Sequence, residues 1–518
     1  MTILVVACTP IPIPTSATAT PQSTRAPLTT PTPNYEGGAI TIGALNADAN
    51  EFIQAALYDS LLQIDPQNGS LAPALAESFQ ISDDALTVTF RLRANVKFHN
   101  GDPLTADDVV ATINAFNAPD FRGAPAADFG TLSKASALDL QTVQLLFRDA
   151  YCPALTYIGA LKIYPRAMIA ASNFPRLTDA QLIGTGALKF IARDANQIVF
   201  TRNPEYWRGA PHVQDWTLKI FSDARALRAA LAENQIDAAA IDARDLAAIK
   251  KIANTKIFAT DTAEIAMLVF NADTPTLNDA RVRQALTFAL NKNILASDLN
   301  DQGRIVETSA LGNFWASPQN FSVTAFDPNR AKQLLADAGW RDNGDGILRR
   351  ANKTFSLDLW TEGDDPILEP FAFRVREQLA ALGIKVELQL GDRAGWITRA
   401  FQHRFDLLLL TRQIPLDPDQ HWYWQSDQAS KSDGFNFGSF SNPRVDQLSK
   451  QLNRVSACGP PARAALFVEI QKQLQNDPPA VFLIAPQKYF AASERVLNVA
   501  PSPFSGDFWN LRDWRVKP

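Results

Sequence analysis

Three cysteines, four histidines and three methionines in 518 residues exclude several chemistries before any motif is sought. Cys8, Cys152 and Cys458 are too few for a disulfide framework. His99, His212, His403 and His421 are scattered, with neither HExxH nor any paired spacing that would make a metal centre. There is no GxSxG elbow and no cysteine with a partnered histidine motif, so catalysis has no candidate constellation and no enzyme activity is expected. Gly184-Thr185-Gly186 lacks the third glycine of a dinucleotide loop and the Lys-Ser/Thr pair of a P-loop, and no cofactor is implied. Asp342-Asn343-Gly344-Asp345-Gly346 opens like a calcium loop, but Gly stands at position three and Lys353 at twelve, so a surface turn is expected. With 49 Lys and Arg against 54 Asp and Glu, the formal charge is −5, which offers no basic face for nucleic acid. No run after Cys8 approaches the ~18 apolar residues of a membrane span.

What is present begins at the amino terminus. The apolar stretch from Met1 ends Val5-Val6-Ala7-Cys8, which resembles a lipobox, so Cys8 is the expected lipidation site and residues 1–8 a signal remnant. A complete signal has a basic leading region and a longer apolar core, so the natural start is expected upstream. Residues 9–34 are rich in Thr, Pro, Ala and Ser and bury too little to offset their ordering entropy. They read as a disordered tether, reaching up to ~80 Å at ~3.1 Å per residue of polyproline-like chain.

Beyond the tether the pattern is mixed α/β. Leu86 to Leu92 alternates apolar and polar residues, as a half-buried strand does. Asn100-Gly101-Asp102 is a tight turn, and Thr105 with Asp107 and Asp108 starts a helix carrying Val109, Val110, Ile113 and Phe116. Between Thr217 and Ile241 the order is strand, helix, strand, with Ser222 as N-cap and Leu227, Ala230 and Leu231 as the apolar stripe. Such units imply parallel strands with ligand crevices at their carboxyl ends. A second set runs from Leu268: a helix at 281–290, a strand ending at Thr361-Glu362-Gly363, a long helix at 370–384, a strand at 385–390, a helix at 396–402 and the buried strand of Phe405 to Arg412.

The words of residues 58–116, "YDSLLQID" and "LAPALAESFQISDDALTVTFRLRANVKFHNGDPLTADDVV", resemble the extracellular solute-binding proteins of family 5, which serve peptide, nickel and related ABC importers. The resemblance continues in order through "GTGALKF", "TRNPEYWRGAPHV", "LVFNADTPTLNDARVRQALTFALNKNIL", "FDPNRAKQLLADAGW", "REQLAALGIKVELQ" and "FNFGSFSNPRVDQL", from about Glu36 onward. It implies a two-lobed clamp like a class II periplasmic binding protein, in the large family 5 form with an extra subdomain in lobe one. Lobe one is expected over 35–267 plus 487–518 and lobe two over 268–486. The implied function is capture of a small polar solute, peptide-like or other, outside the cytoplasmic membrane and its delivery to a permease. The implied partners are that ligand and the permease subunits, with a monomer tied to the membrane through lipid only; a ligand-presenting sensor or, less well supported, a secreted hydrolase are the alternatives. The same layout puts Cys152 and Cys458 in different lobes, where a bridge would obstruct closure, so two separate thiols are expected.

Ligand-binding candidates follow partly from residue type and partly from the resemblance. In peptide-binding family members an acidic residue just past the buried strand holds the ligand's amino group; here Gln413-Ile414 takes its place beside Arg412. Arg412 suits a carboxylate or phosphate, or else a structural salt bridge. Trp360, Trp396, Trp422 and Trp424 offer flat faces for rings, side chains or cations, with core packing as the competing reading. Glu362 ends its strand, Asn436 and Phe437 fall in the family's Asn-Phe motif, and Asn46 follows the first strand where lobe one meets ligand, although Asn436 and Asn46 could equally serve turns. Asp417-Pro418-Asp419 reads as a turn with its side chains bonded to its own backbone.

Overall fold

The computed structural model describes residues 35–517, apart from 47–48, 119–120, 122–128, 171–178, 300–302, 320, 322 and 432–433. Cys8, the signal remnant and the whole of the tether expected at 9–34 therefore lie outside the described residues. The rest is mixed α/β, built on a twelve-stranded sheet.

That sheet has two halves. In one, Ala39–Leu45 lies between Asp215–Phe221 and Ala238–Ile241 and runs parallel to both, as the strand, helix, strand pattern required. The helix between them, Ala224–Ala232, buries Leu227, Ala230 and Leu231 as expected, but Asp223 rather than Ser222 caps it, its carboxylate accepting from the Ala226 amide at 2.8 Å. A carboxylate gains from the helix dipole as well as from the hydrogen bond, which favours Asp over the neighbouring Ser. At the start of Ala106–Phe116 the Thr105 amide and hydroxyl both donate to Asp108, at 2.9 and 2.7 Å.

In the other half, Ser356–Glu362 runs parallel to Lys385–Gly391 and to Leu407–Gln413, and Glu264–Phe270 closes against the last of these in antiparallel register. The apolar runs of these strands follow from burial on both faces. Ala266, Leu268, Phe270, Leu407 and Leu409 point into one core. Ile265, Met267, Val269, Leu408 and Leu410 point into the other.

One element joins the halves. Ala480–Ser493 pairs at its start with Glu264–Phe270 and at its end with Ala238–Ile241 and Thr255–Asp261. The chain crosses a second time at 262–263, between Thr255–Asp261 and Glu264–Phe270. The aromatic carboxyl-terminal segment returns to the first half, where Phe508, Leu511, Trp514 and Val516 join its core.

A separate antiparallel sheet (Ala76–Ile81, Thr87–Leu92, Thr142–Phe147 and Leu132–Ala137, in that spatial order) stands over the first half with its own core. His99 supports its base: Nδ1 accepts from the Gly184 amide at 3.2 Å and Nε2 meets the Gly186 carbonyl at 3.1 Å. Burial pushes this ring down to about 4, so it is neutral at ordinary pH.

Cys152 and Cys458 form a disulfide, with Cα atoms 5.3 Å apart, which corrects the expectation of two separate thiols. The reason lies in how the small sheet docks. The Cys152 amide donates to the Asn453 carbonyl at 2.9 Å, the Ser456 hydroxyl donates to the Asp83 carbonyl at 2.9 Å, and Thr156 donates to Asp417 at 3.0 Å. The subdomain thus leans on the second half of the molecule, and the bridge staples a contact made by other groups too. The bridge spans 306 residues, and losing such a long loop closure typically costs about 2–4 kcal/mol. The double variant Cys152→Ser, Cys458→Ser should therefore unfold at lower urea concentration by that amount, and an unchanged midpoint would show that the staple adds nothing to the non-covalent contact.

Candidate functional site

The parallel strands end together. Glu362, Gly391 and Gln413 are the last residues of three neighbouring strands, so their carboxyl ends form one edge of the second half. In the first half Leu45, Phe221 and Ile241 end strands in the same way, and Ile241 pairs with Tyr489 on the crossing strand. On the other side Ala266 pairs with Ile484. Both carboxyl edges therefore meet the crossing strand within the few residues from Ile484 to Tyr489, or ~15 Å at ~3.3 Å per residue. Open α/β sheets bind ligands at such edges.

The structure brings most of the expected residues to this region. Trp360 is half-buried, with the Arg399 guanidinium 3.8 Å above its ring, so one face is already covered. Glu362 pairs with Arg393 at 3.2 Å. Trp396, in the Arg393–Phe401 helix, is half-buried, and its indole N–H is enclosed without a hydrogen-bond partner among the described residues. An unmet donor of that kind costs roughly 1–3 kcal/mol, which an incoming acceptor could recover. Gln413 is exposed at the strand end, and its carbonyl accepts from the Tyr423 hydroxyl at 3.4 Å. Trp422 is half-buried beside the His421 ring, 4.2 Å between centroids.

Arg412 lies deeper, at 9% exposure. No carboxylate among the described residues pairs with it. Its guanidinium carbon sits 4.0 Å from the Tyr423 ring centre, 5.4 Å from that of Phe437 and 5.7 Å from that of Trp424, and one N–H donates to the Phe435 carbonyl at 2.8 Å. Burial pushes it down to about 10, opposed by Tyr423. The space beside it is about 10 Å³, room for little beyond a water molecule. Trp424 is buried, its N–H held by Gln420 at 2.9 Å. Asn436 is buried too, donating to the Gln425 and Phe440 carbonyls and accepting from the Phe440 amide. Arg412, Trp424, Asn436 and Phe437 thus form a floor beneath the exposed edge.

Asp417 and Asp419 do bond to backbone within their turn, accepting from the Asp419 and His421 amides. They also do more. Asp417 is fully buried and takes a two-pronged ion pair from Arg463, at 2.9 and 2.5 Å, while Asp419 holds the His421 ring at 2.6 Å. Asn46 stands apart from these residues, exposed in the turn after the first strand.

Two cavities open in the first half. One, about 310 Å³, lies at its carboxyl edge between Leu45, Glu51, Ile241, Lys488 and Tyr489, with Lys488 paired to Asp507 at 2.7 Å. The other, about 430 Å³, lies under the Ala49–Leu57 helix and is lined by Tyr58, Asp59, Lys162, Arg208 and Trp509. The sequence reading named neither Lys162 nor Arg208. A lone lysine inside Ile158-Gly159-Ala160-Leu161-Lys162-Ile163-Tyr164 was the available signal.

The model of the bacterial extracellular solute-binding proteins, family 5 (middle region), matches residues 70–434. The oligopeptide-binding protein AppA of Bacillus subtilis is 28% identical over 505 residues, covering 92% of this chain and 92% of that protein. Its structure, in complex with a nonapeptide, superposes with a TM-score of 0.70 over 94% of this chain and 100% of that one, at 26% identity. NikZ of Campylobacter jejuni, in complex with Ni(L-His), gives a TM-score of 0.72 at 25% identity, covering 92% and 99%.

The aromatic box around Arg412 makes its own prediction. With no carboxylate to strand, Arg412→Met should cost less than ~1 kcal/mol, whereas Arg412→Ala should leave a void worth about 2–3 kcal/mol. Urea unfolding of the two variants distinguishes them. Equal losses would mean that the bond to the Phe435 carbonyl, and not the packing, carries the residue.

Proposed function

Since the chain belongs to the bacterial extracellular solute-binding proteins of family 5 and is the substrate-binding component of an ABC transporter, we propose that it traps its solute between two lobes and hands it to a permease. The observation that carries this reading is the meeting of both carboxyl edges at the crossing strand, which puts a hinge and a cleft in one place. Lobe one is 35–267 with 487–518, and lobe two is 268–486. Trp360, Glu362, Trp396, Gln413 and Trp422 face the solute from lobe two and Asn46 from lobe one, with Arg412, Trp424, Asn436 and Phe437 supporting them. The protein acts by binding, without catalysis.

The solute is small and polar, a peptide or similar. Asp417 and Asp419 are committed to Arg463 and His421, so they do not supply the carboxylate that a free amino terminus needs. That weighs toward a ligand that is neutral or anionic where it meets lobe two. An intramolecular disulfide fits an oxidising compartment outside the cytoplasm. Lipid on Cys8 would hold the protein at the outer face of the membrane as a monomer.

Gently purified protein should carry a small solute in native mass spectrometry. Recovery of the bare mass from every growth medium, together with no binding from peptide and sugar libraries, would sink the reading. Anchoring is separable from it: expressed behind a complete lipoprotein signal, Cys8→Ser should leave the membrane fraction, since each buried methylene of a lipid contributes ~0.8 kcal/mol. Equal membrane retention of that variant would remove the lipid anchor.

A further inference from the structure

The 430 Å³ cavity under the Ala49–Leu57 helix has an unbalanced charge. Asp59 is already satisfied: it accepts from the Tyr206 hydroxyl at 3.0 Å, the Trp207 indole at 2.9 Å and the Thr185 hydroxyl at 3.0 Å. Arg512 is neutralised by Asp513 at 2.6 Å. Lys162 and Arg208 are different. Both line the cavity and both are half-buried, yet among the described residues neither side chain has a hydrogen-bond acceptor or an ion-pair partner. Arg208 only lies over the Trp207 ring, 4.4 Å from its centre. Burial pulls the Lys162 ammonium below its ordinary value, and the Arg208 charge adds to this while Asp59 opposes it.

Proteins seldom hold two cations at one half-buried cavity without an anion to meet them, because each desolvated charge is costly until it is paired. Counting Lys162 and Arg208 against Asp59 leaves one positive charge, so a monoanion fits where a dianion would overshoot. The cavity is far larger than a bare carboxylate, and Tyr58, Phe508 and Trp509 supply apolar wall. A guanidinium also suits the two oxygens of a carboxylate. We propose that this cavity binds a carboxylate-bearing organic solute, its carboxylate held between Lys162 and Arg208. The inference rests on the reading of the chain as a solute-binding protein, and names a chemical group that it recognises.

The test uses sodium acetate and sodium benzoate as probes, against acetamide and benzamide, with ionic strength matched by sodium chloride. At least one carboxylate should raise the unfolding midpoint of the wild-type protein in a saturable way while its amide does not. Lys162→Met and Arg208→Met should each shift the concentration required by roughly tenfold, the scale of one lost charged hydrogen bond. Probe-free Lys162→Met should be at least as stable as wild type, because it removes an unpaired charge; a purely structural lysine would instead be missed. Displacement of benzoate by the co-purified solute assigns the carboxylate to the transported solute, and joint binding assigns it to a second small acid; either outcome supports the proposal. Equal effects of acids and amides, no effect of either acid, or variants that respond as wild type does, would overturn it. A co-purified solute with no acidic group that occupies this cavity would overturn it too, and would leave the importer reading standing.

Discussion

Ala480–Ser493 is the constraint on which the rest depends. Its hydrogen bonds are shared between two sub-sheets, so neither half can separate without breaking a ladder, and the pairing changes partners near Ile484 to Tyr489, where the proposed pivot lies. Parallel strands on either side then place their carboxyl ends toward that pivot. The proposed cleft follows from which strand ends lie beside the crossing. Aromatic density follows as well, because strand ends facing a cleft are partly wet and partly packed, where Trp and Tyr suit both conditions.

The disulfide and the Asp417–Arg463 pair act on the same problem from another side. A small sheet that folds onto lobe one also leans on lobe two, through Thr156, Tyr151 and Asp83. The Cys152–Cys458 bridge staples the small sheet to the second half, while its base stays docked on the first through His99. Such a bridge is compatible with the proposed closure only if the small sheet moves with the second half. Asp417 belongs to this contact, which explains why an acidic residue close to the cleft is unavailable to a ligand.

Much of this was legible in the order of residues. The run from Leu407 to Leu410 read as a strand buried on both faces and is one, whereas Ile265 to Phe270, its antiparallel neighbour, was not read as a strand. Trp360 and Gln413 came from strand ends and Trp396 from the helix that follows the Lys385–Gly391 strand. Arg412 was recognised as unusual, but its neighbours Tyr423, Trp424 and Phe437 are 11 to 25 positions away, and nothing local says that a guanidinium will meet rings instead of a carboxylate. The disulfide was misread because a bridge between lobes was taken to obstruct closure, whereas docking of the small sheet brings positions 306 residues apart together. Lys162 and Arg208 were missed for a related reason: an unpaired charge becomes visible only once every possible partner has been located.

The central claim is that lobe one's sheet and lobe two close on a solute about the crossing strand. Cysteines introduced for spin labels at Ile191 and Leu390 in a Cys8→Ser background, exposed at 57% and 44% on the two halves, report that motion directly, since Cys152 and Cys458 are bonded to each other. Pulsed electron resonance on protein stripped of solute and on protein reloaded with its co-purified solute gives the two distance distributions. The account predicts that reloading shortens and narrows the distribution. Identical distributions with the solute bound would contradict it, and would mean a rigid receptor whose crossing strand is no hinge.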